Sequence, residues 1–187
     1  MSRDIAFARW AVHANGVNPS KAMRRWLTDR ASLTVKLIER SQHFRVHRLS
    51  QKLSLCLADE YRVVKLQRRI CVQEREVLLE CDGRPVVFAH TVVPTNATAT
   101  DWPFFSALGE RSLGTTLFGD PLVQRGDLHF SRLPDEHPLA QRARKALCVK
   151  QFEQPLFARR CLFRRKKGLL LVTEVFLPDI VQLLPRT

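Results

Sequence analysis

The sequence lacks three features that would each assign it to a large class of proteins. It has no uninterrupted hydrophobic run long enough to cross a membrane, and residues 168–184 are broken by Glu174, Pro178 and Asp179. Its N-terminus has no apolar segment or cleavage pattern typical of a signal peptide. Its five cysteines have none of the close spacings of zinc or redox motifs (Cys56, Cys71, Cys81, Cys148, Cys161). We therefore expect reduced thiols, a cytoplasmic protein, and no stable membrane insertion.

Acidic residues are also scarce, since 18 of them face 31 lysines and arginines, for a net charge of +13. Such a balance is common among nucleic-acid-binding proteins. However, the basic residues are spread along the chain, and no RNP, zinc-finger or helix-turn-helix pattern accompanies them. The densest run, Arg164–Lys167, precedes a predicted turn and suits a solvated hairpin tip. We expect no nucleic-acid partner, and instead a surface that attracts a small anionic substrate.

The order of the patterns predicts an α+β fold in one domain, residues 1–187. Ser20 and Ser32 precede two short helical patterns, and a third begins near Ser112. Two hairpins are predicted, at residues 72–94 with a turn at Asp82-Gly83 and at residues 156–178 with a turn at 166–168. Residues 127–133 suit a strand, and residues 134–155 a loop with a helix. These elements favour a single antiparallel sheet of about six strands with helices packed on it.

The Asp82-Gly83 turn allows the register of the first hairpin to be predicted. If both residues are central in a type I′ turn, Arg75 lies opposite His90 on the more apolar face. A guanidinium there is suited to holding a carboxylate, because its planar fork can bind both oxygens. Two alternatives stay open: Arg75 could cap the core and extend to water, and a lone inward His90 is commonly a core residue.

Glu174 is the one charged residue in the otherwise apolar segment Gly168–Pro178. A buried carboxylate is costly unless a polar or cationic group meets it. The first interpretation is a structural ion pair with Arg159 or Arg160 on the neighbouring strand. The second is a role in catalysis or ligand binding. The local pattern does not separate the two.

Four segments, in the same order along the chain, resemble the chorismate pyruvate-lyase family. They are WLTDRASLT (residues 26–34), REVLLECDGRPVVFAHTVVP (75–94), RSLGTTLF (111–118) and LFARRCLFRRKKGLLLVTEVFLP (156–178). Residues 134–155 look like an insertion relative to shorter members. The resemblance implies a chorismate-lyase-like fold and conversion of chorismate to 4-hydroxybenzoate and pyruvate, without metal or cofactor, for ubiquinone biosynthesis.

The resemblance also implies roles for particular residues. Arg75 falls on the arginine that binds the product carboxylate, Leu113 on the leucine whose backbone N–H meets the same carboxylate, and Glu174 on the glutamate near the ring hydroxyl. Arg75 and Glu174 are thus the expected catalytic residues. Leu33 replaces a pocket-lining methionine, and His90 stands where members commonly have a second arginine.

Two further expectations accompany this assignment. We expect a monomer whose partners are the small molecules chorismate and 4-hydroxybenzoate. The alternative is a non-catalytic domain that binds small aromatic carboxylates, because the ligand-sensing domains of some bacterial transcription regulators resemble the lyase fold.

Overall fold

The computed structural model describes residues 7–184, which form one six-stranded antiparallel sheet with short helices on both faces. The α+β prediction is confirmed. The strands are β1 (Phe44–Leu55), β2 (Cys71–Cys81), β3 (Arg84–Pro94), β4 (Val123–Leu133), β5 (Leu156–Arg165) and β6 (Gly168–Phe176), in the order β1-β2-β3-β6-β5-β4. The α-helices are α1 (Lys21–Leu27), α2 (Leu33–Ile38), α3 (Thr95–Thr98), α4 (Leu113–Gly119) and α5 (Pro138–Ala146), and two 3₁₀ helices span Ala14–Val17 and Pro178–Gln182.

The N-terminal helices begin where their capping residues predict. The hydroxyl of Ser20 accepts a hydrogen bond from the amide of Met23 at 3.2 Å, and that of Ser32 accepts one from Val35 at 3.5 Å. Each cap satisfies an amide that the first helical turn leaves unpaired. Apolar side chains of α1, α2 and α4 then pack in one cluster against one face of the sheet.

The hairpin of β2 and β3 turns at Asp82 and Gly83, whose φ angles of 52° and 78° suit a type I′ turn. The predicted register holds only for the first two pairs, because one extra residue of β3 is inserted between the partners of Glu80 and Leu79. This β-bulge follows Pro85, which has no N–H to continue the ladder. The predicted pairing of Arg75 with His90 is therefore wrong, since Arg75 lies opposite Thr91.

The second face of the sheet is covered as well. Residues of α5 pack there against Leu78 and Phe88, and residues 56–66 contribute to neighbouring apolar clusters. Glu74 and Glu76, which the alternation of β2 assigns to this more polar face, are consequently buried. Helix α5, which lies within residues 134–155, thus covers part of the back of the sheet. None of the helices formed by residues 7–184 is both long and apolar enough to cross a membrane.

Candidate active site

A cavity lies between the front face of the sheet and helices α2 and α4. Its lining includes Arg75 from β2, Glu174 from β6, Leu33 from α2 and Leu113 from α4. The fold therefore brings four of the five predicted site residues to one cavity. The cavity volume is about 60 Å³, whereas a cavity of roughly 150 Å³ holds benzene. A benzoate-sized ligand must therefore displace lining side chains as it enters.

Arg75 is buried, with 2% of its surface exposed, and no acidic side chain of residues 7–184 lies within salt-bridge distance of it. Its Nη2 donates to the carbonyl oxygens of Gly109 at 3.1 Å and Arg111 at 2.9 Å. Its Nε is buried without a hydrogen-bond partner in the described part of the chain. Burial, together with the nearby charge of Arg48, lowers the pKa of Arg75 from 12.5 to about 10. A guanidinium in this state would be stabilised by an anion.

The segment that Arg75 contacts leads directly into α4. Ser112 makes no capping bond to α4, because its hydroxyl lies 2.5 Å from the Thr34 hydroxyl of α2. Gly114 allows this close approach, since a Cβ there would come within 2.8 Å of the same hydroxyl. Leu113, the first residue of α4, is thereby held at the cavity wall beside the segment that Arg75 binds.

Glu174 lies opposite Arg159 of β5, whose Nε donates to Glu174 Oε2. Arg159 is 1% exposed, and its Nη1 also donates to the carbonyls of Trp26, Leu27 and Asp29. The ion pair that the sequence allowed is thus present, with Arg159 as the partner. Glu174 nevertheless borders the cavity, so the ion pair fixes its carboxylate at the cavity wall. The structural and functional interpretations of Glu174 are compatible.

Arg75 and Glu174 approach the cavity from strands that are not adjacent. Thr91 of β3 pairs with Arg75 on one side and Val172 of β6 on the other, and Glu174 is two residues further along β6. Two strand spacings amount to about 10 Å across the sheet. Apolar residues such as Ala89 and Val172 line the cavity between the two side chains. This arrangement suits a flat apolar ring with polar groups at its ends.

His90 does not line this cavity, and its expected position beside Arg75 needs correction. The bulge in β3 turns its side chain to the back of the sheet, where it is 0% exposed. Its Nε2 and Nδ1 each lie 3.3 Å from a carboxylate, of Glu60 and Glu76 respectively. Burial by itself lowers the pKa of His90, but these two carboxylates outweigh burial and raise it to about 10. His90 is therefore a buried cation with its own partners.

The same buried network contains the one group of potential metal ligands found among residues 7–184, namely Glu74, Glu76 and His90. Their ligand atoms lie within 4.8 Å of one another. However, Nη1 of Arg142 from α5 lies 2.8 Å from Glu74 and 2.5 Å from Glu76. The guanidinium thus supplies the positive charge that the two carboxylates require. We infer no metal site from this group.

The cavity lining also contains residues that the sequence did not predict for the site, among them Arg125 on β4 and Cys161 on β5. Burial raises the pKa of the Cys161 thiol, although Arg125 opposes this. The thiol is therefore neutral near pH 7 and is a poor nucleophile. No local pattern around Arg125 points to this cavity, because its position depends on the pairing of β4 with β5.

The fold is that of an α+β domain, and its cavity has an apolar lining with the charged side chains of Arg75, Arg125, Arg159 and Glu174 at the wall. Residues 6–184 match the sequence profile of the family described as Chorismate lyase. The chain is 49% identical over 158 residues to a probable chorismate pyruvate-lyase of Cupriavidus metallidurans, which covers 84% of this chain and 74% of the relative. A probable chorismate pyruvate-lyase of Ralstonia nicotianae is 46% identical over 176 residues, covering 93% and 82%. The chain belongs to the chorismate lyase family, and is thus a carbon–oxygen lyase.

Solved structures with a similar fold include proteins of a different kind. The C-terminal domain of the histidine utilization repressor from Pseudomonas syringae has a TM-score of 0.53 at 10% identity, covering 78% of this chain and 99% of that domain. PhnF from Mycobacterium smegmatis has a TM-score of 0.55 at 15% identity, covering 81% and 66%. At these identities the likeness concerns the fold alone.

Proposed function

We propose that this protein converts chorismate to 4-hydroxybenzoate and pyruvate. One observation carries the proposal beyond family membership. The buried guanidinium of Arg75 has no carboxylate partner in residues 7–184, and it borders the same cavity as Glu174. A ligand carboxylate would supply the missing charge, and an uncharged ring would occupy the apolar space between the two side chains.

In the proposed complex, Arg75 and the amide of Leu113 hold the ring carboxylate. Glu174 contacts the ring hydroxyl, and its bond to Arg159 keeps it in place. Leu33 packs against the ring from the α2 side of the cavity. The reaction breaks the bond between the ring and the enolpyruvyl oxygen and removes a ring proton, while the enolpyruvyl group gains a proton to become pyruvate. Because the ring becomes aromatic, the protein needs mainly to hold the substrate, exclude water and assist proton movement.

The cellular role follows from the same proposal. The product 4-hydroxybenzoate would enter ubiquinone biosynthesis, and Arg75, Leu113 and Glu174 would act without a cofactor. The five cysteines are all free thiols, which suits a reducing compartment such as the cytoplasm. We further propose that the protein works as a monomer.

The decisive experiment is to mix the purified protein with chorismate and to follow 4-hydroxybenzoate and pyruvate with time. We expect both products in equal amounts, above the spontaneous background. The matched control is the Glu174→Gln variant, which preserves the size of the side chain. If the protein binds 4-hydroxybenzoate in calorimetry but leaves chorismate intact, it is a binding domain and the proposed activity is wrong.

A further inference from the structure

The charged residues that line the cavity do not balance one another. They are Arg75, Arg125, Arg159 and Glu174. Arg159 and Glu174 form an ion pair, which leaves two guanidinium groups. No carboxylate of residues 7–184 lies within salt-bridge distance of Arg75 or Arg125. A cavity with two unpaired cations favours a ligand that carries two negative charges.

Arg125 is held at the cavity in a way that leaves part of its guanidinium available. Its Nη1 donates to the backbone carbonyl of Arg30, and its guanidinium carbon lies 5.1 Å from the centre of the Phe118 ring. Its Nε is buried and has no hydrogen-bond partner within the described chain. Stacking on an aromatic ring orients a guanidinium without using its N–H donors. These contacts place the guanidinium of Arg125 beside the Cys161 thiol and leave its Nε as a buried donor without an acceptor in the described chain.

Arg75 and Arg125 stand on opposite sides of the cavity. Arg75 belongs to β2 and Arg125 to β4, with β3, β6 and β5 between them in the sheet. Their strand axes are thus about 19 Å apart, and both long side chains reach toward the space between. Glu174 of β6 lies between the two arginines in the strand order. A ligand held by both arginines therefore needs acidic groups at separate ends.

We infer that Arg125 is the residue that binds the second carboxylate of the substrate, the one on its enolpyruvyl group. This inference rests on the proposed function, in which Arg75 binds the ring carboxylate. It also assigns to Arg125 a task for which His90 is unavailable, because His90 faces the back of the sheet. The enolpyruvyl carboxylate departs with pyruvate, so 4-hydroxybenzoate keeps its contacts with Arg75, Leu113 and Glu174 but has no carboxylate left for Arg125. Arg125 thus distinguishes the dianionic substrate from the monoanionic product.

The test compares two stable probes that differ in the second carboxylate, 3-(carboxymethoxy)benzoate and 3-methoxybenzoate, by calorimetry. The variants are Arg125→Gln, Arg125→Lys and the control Arg132→Gln. Arg132 lies on the same strand, is exposed, and stacks on Phe157 outside this cavity. Arg132→Gln removes one positive charge from the protein, as Arg125→Gln does, but it leaves the cavity lining unchanged.

We expect Arg125→Gln to weaken binding of the dicarboxylate by about tenfold or more. Binding of 3-methoxybenzoate and 4-hydroxybenzoate should change less than about threefold. Arg125→Lys should recover part of the loss, and Arg132→Gln should bind both probes like the wild type. With chorismate, Arg125→Gln should raise KM more than it lowers kcat. Far-UV circular dichroism and thermal melting establish that each variant is folded.

Two results would overturn the inference. One is an Arg125→Gln variant that loses affinity for both probes equally, which would indicate a general role in cavity structure. The other is a wild type that binds the dicarboxylate no better than 3-methoxybenzoate. Failure of the proposed function is a separate result, because it appears as absent chorismate turnover in a wild type that still separates the two probes.

Discussion

Replacing Arg75 by methionine should show whether Arg75 serves ligand binding or the stability of the fold. Methionine fills much of the same volume without charge. The folded state holds the pKa of Arg75 at about 10 instead of 12.5, which corresponds to about 3 kcal/mol of unfavourable free energy near neutral pH. The variant removes this cost. It also removes the two hydrogen bonds to Gly109 and Arg111, which are worth together about 3 kcal/mol.

These two effects nearly cancel, so the free energy of unfolding of Arg75→Met should stay within about 2 kcal/mol of the wild type. Arg159→Met is the matched control, since Arg159 is equally buried but is paired with Glu174. Its removal leaves an uncompensated carboxylate and should cost about 3–5 kcal/mol. Urea unfolding near pH 7 measures both values.

Although Arg75→Met should change the stability little, it should weaken ligand binding strongly. Without the guanidinium, the affinity of Arg75→Met for 4-hydroxybenzoate should fall by about 100-fold, equivalent to about 3 kcal/mol. Ligand at 100 times the wild-type Kd should stabilise the wild type by about 2.7 kcal/mol, and the variant by far less. The reasoning is refuted if Arg75→Met loses several kcal/mol of stability yet binds 4-hydroxybenzoate as the wild type does.

Two further predictions concern the other charged residues. Glu174→Gln should lower kcat for chorismate by about 100-fold or more while changing the Kd of 4-hydroxybenzoate much less; an unchanged kcat in steady-state assays would exclude a role in proton transfer. His90→Gln should leave the affinity for 4-hydroxybenzoate unchanged but lower the free energy of unfolding by about 3–5 kcal/mol. Because the folded-state pKa of His90 is raised to about 10, its stabilising contribution is present below its unfolded-state pKa of about 6.5 and is lost as the pH rises through 10. Urea unfolding of the wild type and His90→Gln between pH 6 and pH 10.5 should therefore show that their difference in free energy of unfolding becomes smaller as the pH rises. A difference that grows with pH would contradict the conclusion that His90 is a buried cation.

Several parts of this protein follow from local sequence alone. The caps at Ser20 and Ser32 and the turn at Asp82-Gly83 each depend on a few adjacent residues. Hydrophobic alternation then predicts the strands, and hence an antiparallel α+β fold. Glu174 attracts attention for the same local reason, since a lone carboxylate in an apolar strand needs a partner.

The position of His90 depended on the tertiary structure. Side chains alternate along a strand, so one inserted residue moves every later side chain to the other face. The bulge beside Pro85 therefore separates His90 from Arg75. The partners that His90 then finds, Glu60 and Glu76, come from a distant loop and from the neighbouring strand. No pattern within the hairpin indicates them.

The composition of the cavity was likewise decided by distant segments. Local sequence determined which strands form and that Arg75 and Glu174 are unusual within them. Only the sheet order brought Arg125 of the edge strand β4 to the same space, and only packing paired Arg159 with Glu174 while leaving Arg75 without a counter-ion. The physical reason is that the net charge around a buried site sums contributions from residues far apart in the chain. Such a sum is set by strand pairing and packing, which local sequence patterns do not contain.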